Sequence, residues 1–190
     1  LFIDPLLLEE ASDAGFRECA TNAYIERFEL LIKLLSRSTN VGDVSWRAAR
    51  RHLNFHEIKY THLGYSSGES GSGMGKGISD GLLVTAKEVI DLGIEDPDLF
   101  VALALIEDGV GADRISDMTT NIIIDCLAKF SEKICGVIGL PTSRFKLGGG
   151  SYDLCPNPLT EADPIVFVPR DIVRDLPVAA DWDSVGAAAQ

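Results

Sequence analysis

An acidic stretch holds the side chains whose types and spacing best fit a chemical role. Its four carboxylates and one arginine lie between two apolar segments, at Glu107, Asp108, Asp113, Arg114 and Asp117. Asp113 and Asp117 are four positions apart, so in a helix they share one face. Converging carboxylates hold Mg²⁺ or Mn²⁺, which activate water and stabilise the charge that develops during phosphodiester hydrolysis. We therefore predict that Asp113 and Asp117 are ligands of Mg²⁺ or Mn²⁺, assisted by Glu107 or Asp108.

Phosphodiester hydrolysis also needs a positive group beside the phosphate. Arg114 lies within the acidic stretch and Arg170 follows a late apolar segment, so both are candidate catalytic residues. A purely structural interpretation competes with this one. Asp and Ser side chains at a helix start accept hydrogen bonds from free backbone N–H groups, each worth about 0.5 to 2 kcal/mol. On that interpretation Ser116 caps a helix that begins at Asp117.

A glycine-rich segment is the second candidate site. Residues 64–81 contain seven of the 18 glycines, which predicts irregular structure over at least Ser66–Gly77. The spacing of a nucleotide-binding P-loop fails, because Ser70 stands where glycine is required and Gly77 where serine or threonine is required. Backbone N–H groups can still bind an anion, and the candidate residues are Gly71, Gly73, Gly75 and Lys76. The favoured alternative is a flexible surface loop or a lid that becomes ordered on a partner.

Histidines and cysteines indicate no metal site. His52 and His56 would share a helix face, but they lack the His-Glu-x-x-His zinc pattern. The four cysteines form no Cys-x-x-Cys pair, which argues against a zinc ribbon or a thioredoxin-like motif. We interpret all four as small buried thiols of a reducing cytosol.

Composition limits the classes of partner. The chain has 190 residues, 46% of them hydrophobic, and a formal net charge of −12, so it can build a core but repels phosphate backbones. Nucleic acid would bind only through a local basic patch of Arg47, Arg50 and Arg51 or through a basic partner. The favoured explanation of the patch is the solvated face of an amphipathic helix. No apolar run approaches the roughly 20 residues that span a bilayer, and Leu1–Leu8 lacks the pattern of a secretory signal, so we expect a cytoplasmic protein or a fragment of one.

Periodicity predicts most of the helices. Apolar residues at three- and four-residue spacing favour helices over Glu18–Leu35, Asp43–Leu53 and Asp117–Ile138, and another that is capped by Ser79 or Asp80 and ends at Gly93. Helix is preferred over strand for the short apolar run Leu99–Ile106.

Three short segments are predicted to form a small sheet, namely Leu1–Ile3, Arg144–Leu147 and Ile165–Val168. A short helical turn is expected at Asp171–Asp175. Because no linker divides the chain, we predict one mainly helical α+β domain over residues 1–180, followed by a weakly ordered tail over 181–190.

The acidic stretch also carries a resemblance. Asp108-Gly109-Val110-Gly111, Asp113, Ile115-Ser116-Asp117 and Thr119-Thr120-Asn121 together resemble a D-G-V-G-x-D-x-I-S-D-x-T-T-N motif of uncharacterised bacterial proteins, some of which lie near mobile-element or phage-defence genes. Leu63-Gly64-Tyr65 and Val168-Pro169-Arg170-Asp171 fit the same pattern. The resemblance implies a bacterial cytoplasmic origin but assigns no catalytic residue.

Two functional hypotheses follow from these residues. The first is a metal-dependent phosphodiester hydrolase, or a nuclease-like component of a bacterial system such as phage defence. The second is a noncatalytic interaction or regulatory subunit, in which the acidic stretch caps a helix and the glycine-rich loop becomes ordered on a partner.

Overall fold

The computed structural model describes residues 1–53, 55, 61, 76–94, 96, 112–160 and 162–175. The helices within these ranges are α1 (Ala14–Ser36), α2 (Val44–His52), α3 (Lys76–Asp91) and α4 (Ala112–Ile138). The strands are β1 (Phe2–Ile3), β2 (Ser143–Leu147), β3 (Gly150–Leu154) and β4 (Val173–Arg174), and 3-10 helices cover Pro5–Glu10 and Arg170–Ile172. The prediction of a mainly helical α+β fold is confirmed.

Helix α1 forms because a cap and an apolar stripe act together. Asp13 Oδ1 accepts a hydrogen bond from Phe16 N at 2.9 Å, which satisfies one of the free N–H groups of the first turn. Residues at three- and four-residue spacing then face the core, and the buried ones are Phe16, Ala20, Tyr24, Phe28, Leu31, Ile32 and Leu35. The predicted helix is confirmed, and the Asp13 cap starts it one turn earlier.

Helices α1 and α4 pack along an antiparallel seam. An ion pair joins Asp13 to Lys133, and the rings of Phe16 and Phe130 meet edge to face with centroids 5.6 Å apart. Positions rise along α1 as they fall along α4, so the two helices run in opposite directions. The next contact along this seam is a disulfide between Cys19 and Cys126.

The disulfide corrects the interpretation of the cysteines as four thiols. Cys19 and Cys126 are 107 positions apart in sequence, yet the seam places their Cα atoms 5.8 Å apart, within the ordinary range for a disulfide. The other two cysteines are free thiols, with Cys135 buried and Cys155 half-buried. The prediction was wrong for Cys19 and Cys126 because helix packing, and not sequence spacing, brings them together.

Asp43 caps helix α2 and also accepts hydrogen bonds from the backbone of the loop that precedes the helix. Its Oδ1 accepts from Trp46 N at 2.7 Å, while its Oδ2 accepts from Thr39 N at 2.9 Å and from Asn40 N at 3.3 Å. The backbone N–H of Trp46, followed by those of Thr39 and Asn40, lowers the pKa of Asp43 to about 2. The predicted second helix and its Asp43 cap are confirmed.

Helix α3 starts earlier than its sequence signals suggest. It begins at Lys76, so Ser79 and Asp80 lie inside the helix and the predicted cap there is wrong. The same start places Lys76 and Gly77 in regular structure, contrary to the prediction for Ser66–Gly77. At the other end Gly93 has φ +87°, a conformation that favours glycine and stops the helix as predicted.

The described strands form two separate two-stranded sheets in place of the single small sheet that was predicted. β1 pairs antiparallel with β4, and β2 pairs antiparallel with β3 as a hairpin. The predicted strand at Ile165–Val168 is wrong, because in the described part of the chain these residues join no ladder. Two of their N–H groups bond to separate acceptors, Ile165 N to Cys155 O and Phe167 N to Ser131 Oγ, each at 2.8 Å.

Asp125 of α4 holds the turn of the β2–β3 hairpin against the helix. Asp125 Oδ1 accepts from Tyr152 OH at 2.7 Å and from Gly149 N at 3.0 Å. Burial, together with the hydrogen bond to Asp125, raises the pKa of Tyr152 to about 12. At Gly148, whose φ is +52°, a Cβ atom would lie 2.7 Å from Asp125 Oδ1, so the turn requires glycine.

The end of the described chain also differs from the prediction. A 3-10 turn does form at Arg170–Ile172, but Val173 and Arg174 continue as β4 in place of the helical turn expected at Asp171–Asp175. The segment Leu99–Ile106 and the tail 181–190 lie outside the described residues. Among the helices that the structure describes, none has the length and apolar character needed to cross a bilayer.

Candidate functional site

The start of helix α4 carries the described part of the acidic stretch. The helix begins at Ala112, so Ser116 is an interior residue and the prediction that it caps a helix starting at Asp117 is wrong. With this start, Asp113 and Asp117 lie one turn apart on the same face of the helix backbone, as the metal hypothesis requires. Asp117 is half-buried, while Glu107, Asp108 and the side chain of Asp113 lie outside what the structure describes.

Ser116 has a structural role in place of the predicted cap. It is buried, and its Oγ accepts a hydrogen bond from Ile3 N at 2.9 Å. This bond ties β1 to α4, two elements whose contacting residues are 113 positions apart. The buried backbone N–H of Ile3 thereby has a side-chain acceptor on the side of β1 that faces α4.

The hydroxyl and amide groups that follow Ser116 also bond within the helix. Thr119 Oγ1 donates to Ile115 O at 2.8 Å, Thr120 Oγ1 donates to Ser116 O at 2.7 Å, and Asn121 Nδ2 donates to Asp117 O at 2.8 Å. Thr119 and Thr120 are buried, so these bonds satisfy hydroxyls that would otherwise lack a partner. The S-D-x-T-T-N part of the motif is therefore largely explained by packing and backbone hydrogen bonding.

Arg114 differs from these residues. Its side chain is half-buried, and its Nε–H is buried without a hydrogen-bond partner among the residues that the structure describes. Most buried donors in folded proteins have a partner, so an unpaired guanidinium N–H requires an explanation. In sequence Arg114 lies between Asp113 and Asp117, on the first turn of α4.

The fold brings the Arg170 segment toward the same region. β1 is bound to Ser116 on one side, and on the other Ile3 pairs with Val173 and Asp4 N donates to Ile172 O at 3.0 Å. Residues 170–174 and the start of α4 are therefore both neighbours of β1. Arg170 is exposed, and its Nη1 donates to Val173 O at 2.8 Å, which stabilises the 3-10 turn.

Two further carboxylates border β1. Asp4 is buried, and its Oδ2 accepts from Arg174 Nε at 2.6 Å. Asp171 Oδ2 accepts from Ser12 N at 2.7 Å, and hydrogen bonding by Ser12 lowers the pKa of Asp171. The sequence reasoning missed both residues, since each is placed by pairing between the two ends of the chain.

The described residues supply part of the ligand set that the metal hypothesis requires. Among the described residues no group of three or more His, Cys, Asp or Glu side chains is arranged to hold a metal ion. Of the four predicted ligands only the side chain of Asp117 is described. A full ligand set at this site therefore requires the carboxylates of Asp113, Glu107 or Asp108.

The other two candidate sites are the glycine-rich segment and the basic patch. Gly71, Gly73 and Gly75 lie outside the described residues, and Lys76 forms the first residue of α3. In the basic patch, Arg50 Nη2 forms an ion pair with Asp80 Oδ2 at 2.7 Å, and Arg47 Nη1 donates to Gly42 O at 2.5 Å. Arg51 is exposed, so the patch offers less free positive charge than its sequence indicates.

We expect Ser116→Ala to destabilise the fold by about 1 to 3 kcal/mol, because the buried Ile3 N–H loses its acceptor. Urea unfolding followed by circular dichroism measures this. Thr120→Val is the matched control in the same helix, since its hydroxyl donates to a carbonyl that already lies in the helix, and we expect a smaller cost. Equal costs for the two variants would contradict the structural role given to Ser116.

Comparison with known proteins gives a family and no activity. The model of a domain of unknown function, DUF8370, matches residues 1–181. That description names no activity, which agrees with the prediction of an uncharacterised family. Neither the curated proteins nor the solved structures give a significant match.

Proposed function

We propose that this chain, which belongs to the DUF8370 family of domains of unknown function, is a metal-dependent phosphodiester hydrolase with its reactive centre at the start of α4. Asp113 and Asp117 bind Mg²⁺ or Mn²⁺, Glu107 or Asp108 completes the ligand set, and the metal activates the attacking water. Arg114 contacts the phosphate, and Arg170 approaches from the side of β1.

The unpaired Nε–H of Arg114 is the observation that carries this proposal. A buried guanidinium donor without a partner among the described residues favours a bound anion, and phosphate oxygens match its geometry. The helix start supports the proposal because it places two carboxylates one turn apart beside that arginine. Metal at these carboxylates and phosphate at Arg114 would form one continuous site.

The biological setting is a further part of the proposal. The resemblance of the acidic stretch to bacterial proteins encoded near mobile-element and phage-defence genes supports a nuclease-like role in the cytoplasm of a bacterium. The net charge of −12 opposes nucleic acid over most of the surface. Nucleic acid would therefore reach the site along Arg47, Arg50 and Arg51 or with a basic partner protein.

A noncatalytic interaction or regulatory subunit is the second candidate. The observation that favours it is the use of Ser116, Thr119 and Thr120 in structural hydrogen bonds, which explains much of the polar stretch without chemistry. In that case the glycine-rich loop becomes ordered on a partner. Arg114 would then bond to residues outside the described ranges.

Mn²⁺-dependent cleavage of bis(p-nitrophenyl) phosphate by the full chain tests the enzymatic proposal. We expect Arg114→Gln to lower kcat/KM by about 10- to 100-fold, the range for losing a charged hydrogen bond to phosphate. Arg144→Gln is the matched control, because Arg144 is exposed on β2 and its Nη1 lies 4.0 Å from Glu132 Oε1, in the half of α4 away from the proposed site. Absence of cleavage by the wild type, or equal loss in both variants, would favour the interaction subunit.

A further inference from the structure

A cleft opens on the seam between α1 and α4. It has a volume of about 240 Å³ and contains the disulfide, two aromatic rings and two lysines, namely Cys19, Cys126, Phe16, Phe130, Lys129 and Lys133. The rings pack edge to face one turn from the disulfide, and both of its cysteines line the cavity. A small molecule can therefore reach the disulfide while the fold is intact.

The two bonded cysteines differ in residue exposure. Cys126 is buried, with 3% of its surface exposed, while Cys19 is half-buried. An incoming nucleophile meets Cys19 first, and Cys126 is the sulfur that leaves. This asymmetry is the arrangement that directs thiol exchange to one of two bonded cysteines.

The charged side chains at the cleft favour a negatively charged thiol. Lys129 is exposed and forms no ion pair with the residues that the structure describes. Lys133 is bound to Asp13, whose pKa is lowered chiefly by that hydrogen bond, so this ion pair neutralises part of the local charge. Lys129 thus remains as the cation that attracts a negatively charged ligand and stabilises a thiolate close to Cys19.

We propose that the Cys19–Cys126 disulfide is a thiol-exchange site whose cleft takes a small thiol carrying a carboxylate. In a reducing compartment an excess of the small thiol opens such a disulfide, and the small disulfide that is formed closes it again by the reverse exchange. The inference stands independently of the metal site at the start of α4.

Exchange proceeds in two displacements. The thiolate of the small molecule attacks Cys19 Sγ, a mixed disulfide forms, and the Cys19–Cys126 bond breaks with its electron pair on Cys126 Sγ, which takes a proton from water. A second small thiolate then attacks the small-molecule sulfur of the mixed disulfide and releases Cys19 as a thiolate. In total, two small thiols are oxidised to one small disulfide, and the Cys19–Cys126 disulfide is reduced to two cysteine thiols.

Three small thiols of similar size and different charge test the proposal on the native full chain. The probes are 3-mercaptopropionate, neutral 2-mercaptoethanol and cationic cysteamine, with rates corrected for thiolate concentration and thiol basicity. We expect the anionic thiol to react about 3- to 10-fold faster than the neutral one at low salt, and the advantage to shrink at high salt. Lys129→Gln should remove the advantage, while Lys146→Gln, an exposed lysine on β2, should preserve it.

Mapping the mixed disulfide supplies the second readout and needs no cysteine variant. Acid quenching of partly reduced wild-type protein, followed by peptide mass spectrometry, should locate the small thiol on Cys19. Adducts on Cys126, equal corrected rates for the three thiols, or reduction only after unfolding in denaturant would each overturn the proposal.

Discussion

Cys19→Ser combined with Cys126→Ser is expected to lower the free energy of unfolding by about 4 kcal/mol. The disulfide closes a loop between residues 107 positions apart, and in the chain-entropy model a loop of roughly this length stabilises the folded state by about 4 to 5 kcal/mol. It also holds together α1 and α4, which pack along most of the core. Urea unfolding of the oxidised wild type and the double variant, followed by circular dichroism, measures the difference.

Cys155→Ser is the control for this prediction. Cys155 is a free, half-buried thiol whose Sγ lies 3.6 Å from Pro156 O, so its replacement changes chemistry without opening a crosslink. We expect its stability to stay within about 1 kcal/mol of the wild type. A double variant as stable as Cys155→Ser would mean that the Cys19–Cys126 bond does not constrain the chain.

Local signals predicted the helices that depend on them. Helices α1 and α2 each combine an Asp cap with an apolar stripe. The stripe predicted both helices, whereas only the cap at Asp43 was predicted, and α1 therefore begins one turn before its predicted start. The cap fixes the first turn and the stripe fixes the buried face, so tertiary contacts only confirm what the segment already favours.

Long-range pairings could not be read from the sequence. The local sequence Ser-Asp is compatible with a helix cap and also with the role of Ser116, which accepts a hydrogen bond from a strand 113 positions away. The apolar run Ile165–Val168 satisfies the local criteria for a strand, yet β1 pairs instead with Val173 and Arg174. The partner of Ser116 and the partner of β1 both depend on which distant segment packs beside them. Local residue spacing does not determine that choice.

The candidate site likewise has one feature that the sequence predicts and others that depend on tertiary packing. The four-residue spacing of Asp113 and Asp117 is a local property, and the start of α4 at Ala112 places both on one helical face as the spacing predicts. The approach of the Arg170 segment and the unpaired Nε–H of Arg114 depend on β1 and on burial. Only the first of these features is visible in the sequence.

Replacing metal ligands should have the largest effect on activity. We expect Asp117→Asn to lower kcat/KM for Mn²⁺-dependent phosphodiester cleavage by about 100-fold or more, because a neutral amide binds a divalent cation more weakly and activates its water less. Asp163→Asn makes the same chemical change at an exposed carboxylate near Pro164, remote in sequence from α4, and should leave cleavage unchanged. Circular dichroism of both variants verifies that the fold is intact.

Titration of the full chain with Mn²⁺, followed by the EPR signal of the free ion, tests metal binding at the start of α4 most directly. We expect saturable binding by the wild type and by Asp163→Asn, and loss of that binding when Asp113→Asn and Asp117→Asn are combined. Equal binding by all three proteins, or no binding by the wild type, would contradict a metal site at these carboxylates.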